Sequence, residues 1–394
     1  MKVPLLDLSS QNAAVEIELR AAFVDVLQSG QFILGSEVAE FENECAEFVG
    51  VDHAVGVSSG TDALIAALMA LEIGPGDEVI CPSFTFFATA GSVSRVGATP
   101  VFADSCGVCF NLDLDDLKAK ITPRTKAIIP VHLFGQMAEM DGIMAIAEAH
   151  GLAVIEDAAQ AFGSSQRGRK AGSIGTCGTM SFFPTKNLGG FGDGGLITTN
   201  DADFAARLRD LRNHGMNPKY HHHRIGGNFR LDALQAALLR VKLPHLETYC
   251  QLRAANAAEY TRLLSKLDGV VKADPADCGC PLSEAGAMKH DAKLILPVSY
   301  DYNDHIWNQY TLRVIGEGQR DALREALLGA EIGCEIYYPR PMHWQECFAE
   351  LPGVADLSLP NCERLAGEVI SLPVFPELTG EQIEYVVDTI ADFL

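Results

Sequence analysis

The stretch "SFFPTKNLGGFGDGG" (residues 181–195) sets one lysine, Lys186, between an aromatic run and five glycines. Ser181-Phe182-Phe183 reads as the end of a buried strand. Lysine is seldom buried unless its charge is paired or lost. The glycines let the backbone turn tightly, or let another group approach it closely. The stretch is therefore either an ordinary turn with a solvated lysine or a loop that holds a lysine for chemistry.

The flanking sequence has an α/β rhythm. "AVGVSS" (54–59) is a short apolar run, and "TDALIAALMALEIG" (61–74) is apolar at helical spacing. The alternation continues through "DEVICP" (77–82), "TFFATAGSVSRVG" (85–97), "TPVFAD" (99–104), "NLDLDDLKAKI" (111–121) and "TKAIIPV" (125–131). "MDGIMAIAEAHG" (140–151) and "LAVIEDAA" (152–159) add a further helix and strand. Continuous apolar strands separated by helices predict a mostly parallel sheet covered on both faces. "GGLITTND" (194–201) reads as another strand, and "DADFAARLRDLRNHG" (201–215) and "RLDALQAALLRVKL" (230–243) as helices. Pro244 is expected to mark the turn into a long helix over 245–268. Strand-like "AKLILPV" (292–298), "QYTLRVI" (309–315) and "EIYYP" (335–339) then mix with helices at 318–329 and 380–393. The division expected is a large α/β domain over 1–243 and a smaller α+β domain over 244–394. The N-terminal segment could pack on the small domain.

The chain has 394 residues, 48% of them hydrophobic and 21% charged, and a net charge of −22. So acidic a surface argues against non-specific binding to nucleic acid or an anionic membrane. No apolar run approaches the roughly 20 residues that span a bilayer. The first residues lack the apolar core of a signal peptide. Eleven scattered cysteines without an export signal predict free thiols in a reducing, cytoplasmic setting.

Two motif matches compete for the site. "GVSSG" (56–60) fits the nucleophile elbow of a serine hydrolase, with Ser58 as nucleophile and His305 or His343 as partner, although nothing around either histidine selects it. "GFGDGG" (190–195) fits a dinucleotide fingerprint, but a strand follows it where a helix is required. The turn "SSGTDAL" (58–64) has a second use. Free N–H groups and the helix dipole at a helix N-terminus bind a phosphate, or Ser59 or Thr61 simply caps the helix. "VIEDAAQAFGSS" (154–165) ends an apolar strand with Glu156 and Asp157, at the edge where open α/β sheets bind ligands. A carboxylate there pairs with a cationic ring nitrogen or caps the next helix.

A phosphate-cradling turn, a strand-end aspartate and a lysine in a glycine-rich loop are together the set that pyridoxal phosphate requires. The lysine forms a Schiff base with the cofactor aldehyde, and the aspartate keeps the pyridine nitrogen protonated. An aromatic side chain from "PSFTFFATAG" (82–91) would cover the ring. His221, His222 and His223 are adjacent in one stretch and do not read as a metal site. Nor do "CGVC" (106–109) and "CGC" (278–280), which lie far apart.

With these residues in place the sequence resembles the sugar aminotransferase family named after DegT, DnrJ and StrS, of the aspartate aminotransferase-like fold (fold type I). The matching stretches are "VGVSSGTDAL", "GDEVICPSFTFFATA", "ATPVFAD", "IIPVHLFGQ", "IEDAAQAFGS", "SFFPTKNLGGFGDGG", "NFRLDALQAALLRVKL" and "YYPRPMH". The resemblance implies that Lys186 carries pyridoxal phosphate and that Asp157 pairs with its ring nitrogen. Gly60, Thr61 and Ser181 would hold the phosphate, Phe86 would stack on the ring and Gln160 would sit near the ring hydroxyl. Asn228 would reach the phosphate of a neighbouring subunit's cofactor, which implies a homodimer with shared active sites. The implied reaction is transfer of an amino group from L-glutamate to a nucleotide-linked keto-sugar. "HGMNPKYHHHRIGGNFRLD" (214–232) resembles members acting at C3 of UDP- or dTDP-linked 3-keto-hexoses more than those acting at C4. Tyr220, His221, Arg230 and His305 are candidate substrate contacts. Sugar dehydratases of the family carry histidine at the lysine position, so Lys186 argues against that activity. A non-catalytic regulatory protein is disfavoured by the retained Lys186, Asp157 and Gln160. Beside apolar surface and a cationic cofactor, Lys186 is expected to have a lowered pKa.

Overall fold

The computed structural model describes residues 1–273 and 292–394. Three helices come first, α1 (Leu8–Ala13), α2 (Glu16–Ser29) and α3 (Ser36–Val49). The α/β alternation follows with β1 (His53–Val57), α4 (Gly60–Ala70), β2 (Glu78–Pro82), α5 (Phe87–Arg95), β3 (Thr99–Ala103), α6 (Leu114–Ala119), β4 (Thr125–Ile128), α7 (Met140–His150) and β5 (Ala153–Asp157). Two short strands, β6 (Ser165–Gln166) and β7 (Arg169–Lys170), precede β8 (Cys177–Ser181), β9 (Gly195–Thr199), α8 (Ala202–Leu211) and α9 (Ala233–Lys242). Next come α10 (Leu246–Leu264), β10 (Val270–Lys272), β11 (Leu294–Leu296), β12 (Asn303–Asp304) and β13 (Tyr310–Val314). The chain ends with α11 (Gln319–Gly329), α12 (Pro360–Glu368), β14 (Val369–Leu372) and α13 (Gly380–Phe393).

Seven strands form the central sheet in the order β1-β9-β8-β5-β4-β2-β3. The pairs β8–β5, β5–β4, β4–β2 and β2–β3 are parallel, while β9 is antiparallel to both neighbours. The expected mostly parallel sheet is thus present, and β9 is the strand that departs from it. The cause is the connection: residues 182–194, the lysine loop, carry β8 into β9 without a crossover helix, so the chain returns beside itself. Alternate strand residues feed two apolar layers. Val79, Cys81, Ile155 and Ile197 pack on one face with α4, α5 and α8. Ile80, Ile128, Val154 and Leu196 pack on the other with α3, α7 and α9. Burial on both faces is why these strands read as unbroken apolar runs. Each fully buried aliphatic side chain contributes about 2 kcal/mol, a reserve against which buried charges at the sheet edge can be held.

A four-stranded sheet, β10-β11-β13-β14, packs with α10, α11 and α13 around a third apolar cluster. Val3, at the start of the chain, is buried in that cluster and exchanges backbone hydrogen bonds with Glu331 and Gly333. One local expectation fails. "EIYYP" is not a strand but makes a single bridge, Glu335 to Ser371, because Pro339 and Pro341 cannot donate to a ladder. Pro244 does mark the turn into a long helix, as expected, although that helix ends at Leu264. Pro244 sits in a short 3₁₀ turn, Leu243–His245, flanked by residues with helical dihedrals, which joins α9 to α10. No helix among the described residues is long and apolar enough to cross a membrane.

Candidate active site

The predicted residues converge where β5 and β8 end, the lysine loop begins and α4 starts. Ser59 caps α4, its hydroxyl accepting from Asp62 N at 3.0 Å, and its carbonyl accepts from Ala63 N. That leaves the N–H groups of Gly60 and Thr61 without partners inside the helix, a ready anion site. Gly60 is required there by space: a Cβ would lie 2.8 Å from the Cβ of Ser181 at the end of β8. Ser181 Oγ accepts from Phe183 N at 3.3 Å.

Glu156 and Asp157 are consecutive on β5 and so point to opposite faces. Glu156 is fully buried and fully satisfied. It accepts from His132 Nε2 at 2.9 Å and from the N–H groups of Gly172, Ile174 and Gly175 at 2.9, 2.7 and 2.7 Å. Burial alone would raise its pKa, but His132 and these amides hold it below the ordinary value. Ala138 N donates to His132 Nδ1, which assigns the His132 proton to Nε2. Asp157 is just as deep but less well supplied. Thr89 Oγ1 donates to Oδ2 at 2.8 Å and Ala159 N to Oδ1 at 3.2 Å. Burial raises its pKa despite these bonds and the charge of Lys186. Of the two carboxylates, Glu156 has four donors and locks the strand's surroundings, and Asp157 has two.

Lys186 follows a tight turn in which its N–H donates to the Phe183 carbonyl at 2.9 Å. Burial lowers its pKa to about 8, and Asp157 partly offsets this. The expected depression is present, and its amine is neutral in an appreciable fraction near pH 7–8. The loop is fastened from behind. Asn187, 3% exposed, donates to the Ile306 carbonyl at 3.0 Å and accepts from Asn308 Nδ2 at 2.7 Å. Buried Lys242 donates to the Gly189 carbonyl at 2.7 Å.

Gln160 is fixed by two bonds: Phe134 N donates to Oε1 at 2.7 Å, and Nε2 donates to the Tyr338 hydroxyl at 3.1 Å. Phe86, 57% exposed, caps α5, and its ring lies 6.1 Å from that of Tyr338. Sequence reasoning missed Thr89 and Tyr338. The repeat "TFFAT" sets Thr85 and Thr89 one helical turn apart, and their hydroxyls lie 3.2 Å from each other. Tyr338 lay within "YYPRPMH" but was read as strand.

Asn228, expected at a neighbouring subunit's cofactor, and Arg230 flank Phe229, whose carbonyl accepts from Ser58 N at 2.9 Å beside the turn that opens α4. Asn228 bridges Asn213, and Arg230 bridges Val57 while its Nη1 donates to Asn213 Oδ1 at 2.8 Å. Tyr220 is 77% exposed, and His221 is exposed beside it. None of these is hydrogen-bonded to Lys186 or Asp157 among the described residues. His305 stacks on Trp307 with ring centroids 3.9 Å apart, and burial lowers its pKa to about 3. The hydrolase reading fails on geometry. Ser58 donates to Asp62 at 2.6 Å, whereas His343 is bonded to Ser83 and Glu363. Among the described residues no cluster suits a metal ion; Cys278 and Cys280 lie outside them.

The comparisons agree with this geometry. Residues 14–391 match the model of the DegT/DnrJ/EryC1/StrS aminotransferase family. A Geobacillus stearothermophilus protein named pleiotropic regulatory protein is 46% identical over 100% of this chain and 99% of its own. A UDP-N-acetyl-3-dehydro-alpha-D-glucosamine 3-aminotransferase of Acidithiobacillus ferrooxidans is 46% identical over 97% of this chain and 95% of its own. The crystal structure of S. venezuelae DesV in complex with a ketimine intermediate superposes with a TM-score of 0.89. It is 42% identical and covers 100% of this chain and 98% of that one. The chain belongs to the DegT/DnrJ/EryC1/StrS aminotransferase family, and the fold is the expected type I architecture. It is an aminotransferase dependent on pyridoxal phosphate. The residues present fit that cofactor: an under-satisfied buried carboxylate, a lysine of lowered pKa and unpartnered N–H groups at a helix start.

Proposed function

We propose that this aminotransferase moves the amino group of L-glutamate onto a 3-keto-hexose linked to UDP or dTDP, and does so as a homodimer. The observation that carries the reading is the pair Asp157 and Lys186, which feel each other's charge where β5 and β8 end and are both driven by burial toward their neutral forms. The substrate class is supported by the relative whose name specifies a 3-dehydro-glucosamine.

Bound pyridoxal phosphate supplies an electron sink for the carbon that exchanges its proton. The protein's own groups do the rest. The amide N–H groups of Gly60 and Thr61, with the Ser181 hydroxyl, hold the phosphate. Asp157 keeps a proton on the ring nitrogen, and Thr89 keeps Asp157 oriented. Gln160 sits at the ring hydroxyl, and Phe86 covers the ring face. The Lys186 amine, with a pKa of about 8, takes a proton from the donor and returns one during amination of the sugar. Asn228 serves the partner subunit's cofactor. Tyr220, His221, Arg230 and His305 contact the sugar nucleotide, Arg230 through its guanidinium at phosphate.

The test is the absorption spectrum of the cofactor-loaded protein. L-Glutamate should bleach the yellow band, a UDP- or dTDP-linked 3-keto-hexose should restore it, and Lys186→Ala should abolish the cycle. A band that responds only to 4-keto sugars would move the reaction to C4. A band that no amino donor or keto-sugar alters would refute the reading.

A further inference from the structure

The lysine loop is closed on itself and then seated on α9. Phe182 N donates to the Gly194 carbonyl and Gly190 N to the Phe182 carbonyl, both at 2.8 Å, so Lys186 lies within a ring whose ends are joined. The peptide unit between Gly189 and Gly190 is held from both sides. Its N–H is the donor to Phe182. Its carbonyl, pointing the opposite way across a trans peptide, accepts from Lys242 Nζ at 2.7 Å. The next N–H, that of Phe191, donates to Gln235 Oε1 at 2.8 Å. Gly190 and Gly192 make room for that side chain: a Cβ would lie 2.8 Å from Gln235 Oε1 at the first and 2.9 Å from Nε2 at the second. Gln235 and Lys242 lie two helical turns apart on α9 and so share a face.

Lys242 is the anomaly on that face. It is 1% exposed, yet among the described residues no carboxylate forms an ion pair with it, and Glu377 acts on it only at longer range. Burial lowers its pKa to about 8, so the ammonium predominates at neutral pH. Its surroundings offer one carbonyl, the C-terminal end of α9 and the Phe191 ring, whose centroid lies 5.6 Å from Nζ. A methionine would fill much the same space without desolvating a charge. A local conflict of this kind in an otherwise consistent core marks a functional constraint. The support is firm, because Ala236, Ala237 and Leu239 of α9 pack in the same apolar layer as Phe182 and Leu188 of the loop.

We propose that Gln235 and Lys242 are positioning residues for Lys186: from one face of α9 they fix the return arm of its loop, so that the amine keeps its place beside Asp157 whenever it is not bonded to the cofactor. The proposal rests on the reading of Lys186 as the amine that carries pyridoxal phosphate. A bond to the cofactor can place an amine even on a loose loop. A free amine is placed by its loop alone, and a displacement of about 1 Å can cost two orders of magnitude in rate. The two residues therefore act on the steps in which Lys186 is free, namely its attachment to pyridoxal phosphate and its transfers of a proton.

Lys242→Met and Gln235→Leu each remove one fastening, whereas Gln235→Glu keeps the acceptor. In the cofactor-free protein the first two should speed hydrogen exchange across residues 182–194. They should also slow the appearance of the yellow band at saturating pyridoxal phosphate about tenfold. Lys242→Met should do this without losing stability in urea, a combination that a purely structural lysine would not give. Gln235→Leu decides the matter if Lys242→Met does not fold. Gln235→Glu should stay within about twofold of the unaltered protein. The double variant should be little slower than the slower single one, since both act on one arm. In the loaded protein the rate of bleaching at saturating L-glutamate should fall by a similar factor, with the half-saturating concentration unchanged. Unchanged loop exchange would overturn the proposal. So would faster exchange with unchanged attachment and bleaching rates, which would leave the two residues as mere ties of the loop. Failure of the aminotransferase reading looks different: glutamate would not bleach the unaltered protein, yet attachment of pyridoxal phosphate would still slow in both variants.

Discussion

Replacing Lys186 with methionine should make the cofactor-free protein more stable at neutral pH. In the folded chain burial takes Lys186 from the ordinary lysine value of 10.5 to about 8. At about 1.4 kcal/mol per pH unit, that difference amounts to about 3 kcal/mol of unfavourable burial. Part of the side chain remains exposed, and methionine also forfeits the attraction to Asp157, so the expected gain is about 1–2 kcal/mol. Asp157, already raised in pKa by burial, can relax by taking up a proton. The sign with pH follows from linkage. Below pH 8 the lysine is protonated in both states, and folding bears the whole cost. Between about 8 and 10.5 only the unfolded chain holds the proton, so stability of the lysine form rises with pH. The advantage of Lys186→Met should therefore be greatest below pH 8 and fade toward pH 10.5. Urea unfolding of the cofactor-stripped proteins at one fixed protein concentration measures it. A mutant that is no more stable at pH 7, or whose gain does not change with pH, would refute the account of Lys186 as a destabilised, chemically poised amine.

Gly60→Ala should weaken cofactor binding at least tenfold in a titration with pyridoxal phosphate, because the new Cβ meets that of Ser181 at 2.8 Å. Glu156→Gln should cost about 2–4 kcal/mol in chemical denaturation, since it breaks a buried, four-donor site. Because the Glu156 pKa is held low, its contribution is complete above the ordinary carboxylate value and lost as pH falls through the lower folded value; the mutant's acid unfolding should be correspondingly shallower. Tyr338→Phe removes the acceptor for Gln160 Nε2, and a loss of about 1 kcal/mol in cofactor affinity by fluorescence titration is expected.

What the sequence made legible was local chemistry. Lys186 between a strand and a glycine run, and Asp157 at a strand end, could be read because each sits beside the elements that position it. Thr89 reaches Asp157 across 68 residues and Tyr338 reaches Gln160 across 178, and no periodicity encodes such approaches. The direction of β9 was hidden for a related reason, since an apolar run announces a buried strand but not which way it runs. The glycines of the lysine loop raised a question that sequence left open, whether they turn the chain or admit a neighbour. None of Gly189, Gly190, Gly192, Gly194 and Gly195 has a positive φ. A Cβ on Gly189 would lie 2.1 Å from the Pro184 carbonyl oxygen, and one on Gly195 2.4 Å from that of Ser59. Their function is therefore space. They let the lysine loop fold back on its own start and let β9 lie against the turn that opens α4, and these two close approaches set Lys186 and the α4 N-terminus at one edge of the sheet. A side chain at either glycine would push apart Lys186 and the α4 N-terminus, the groups proposed to hold the two ends of one cofactor.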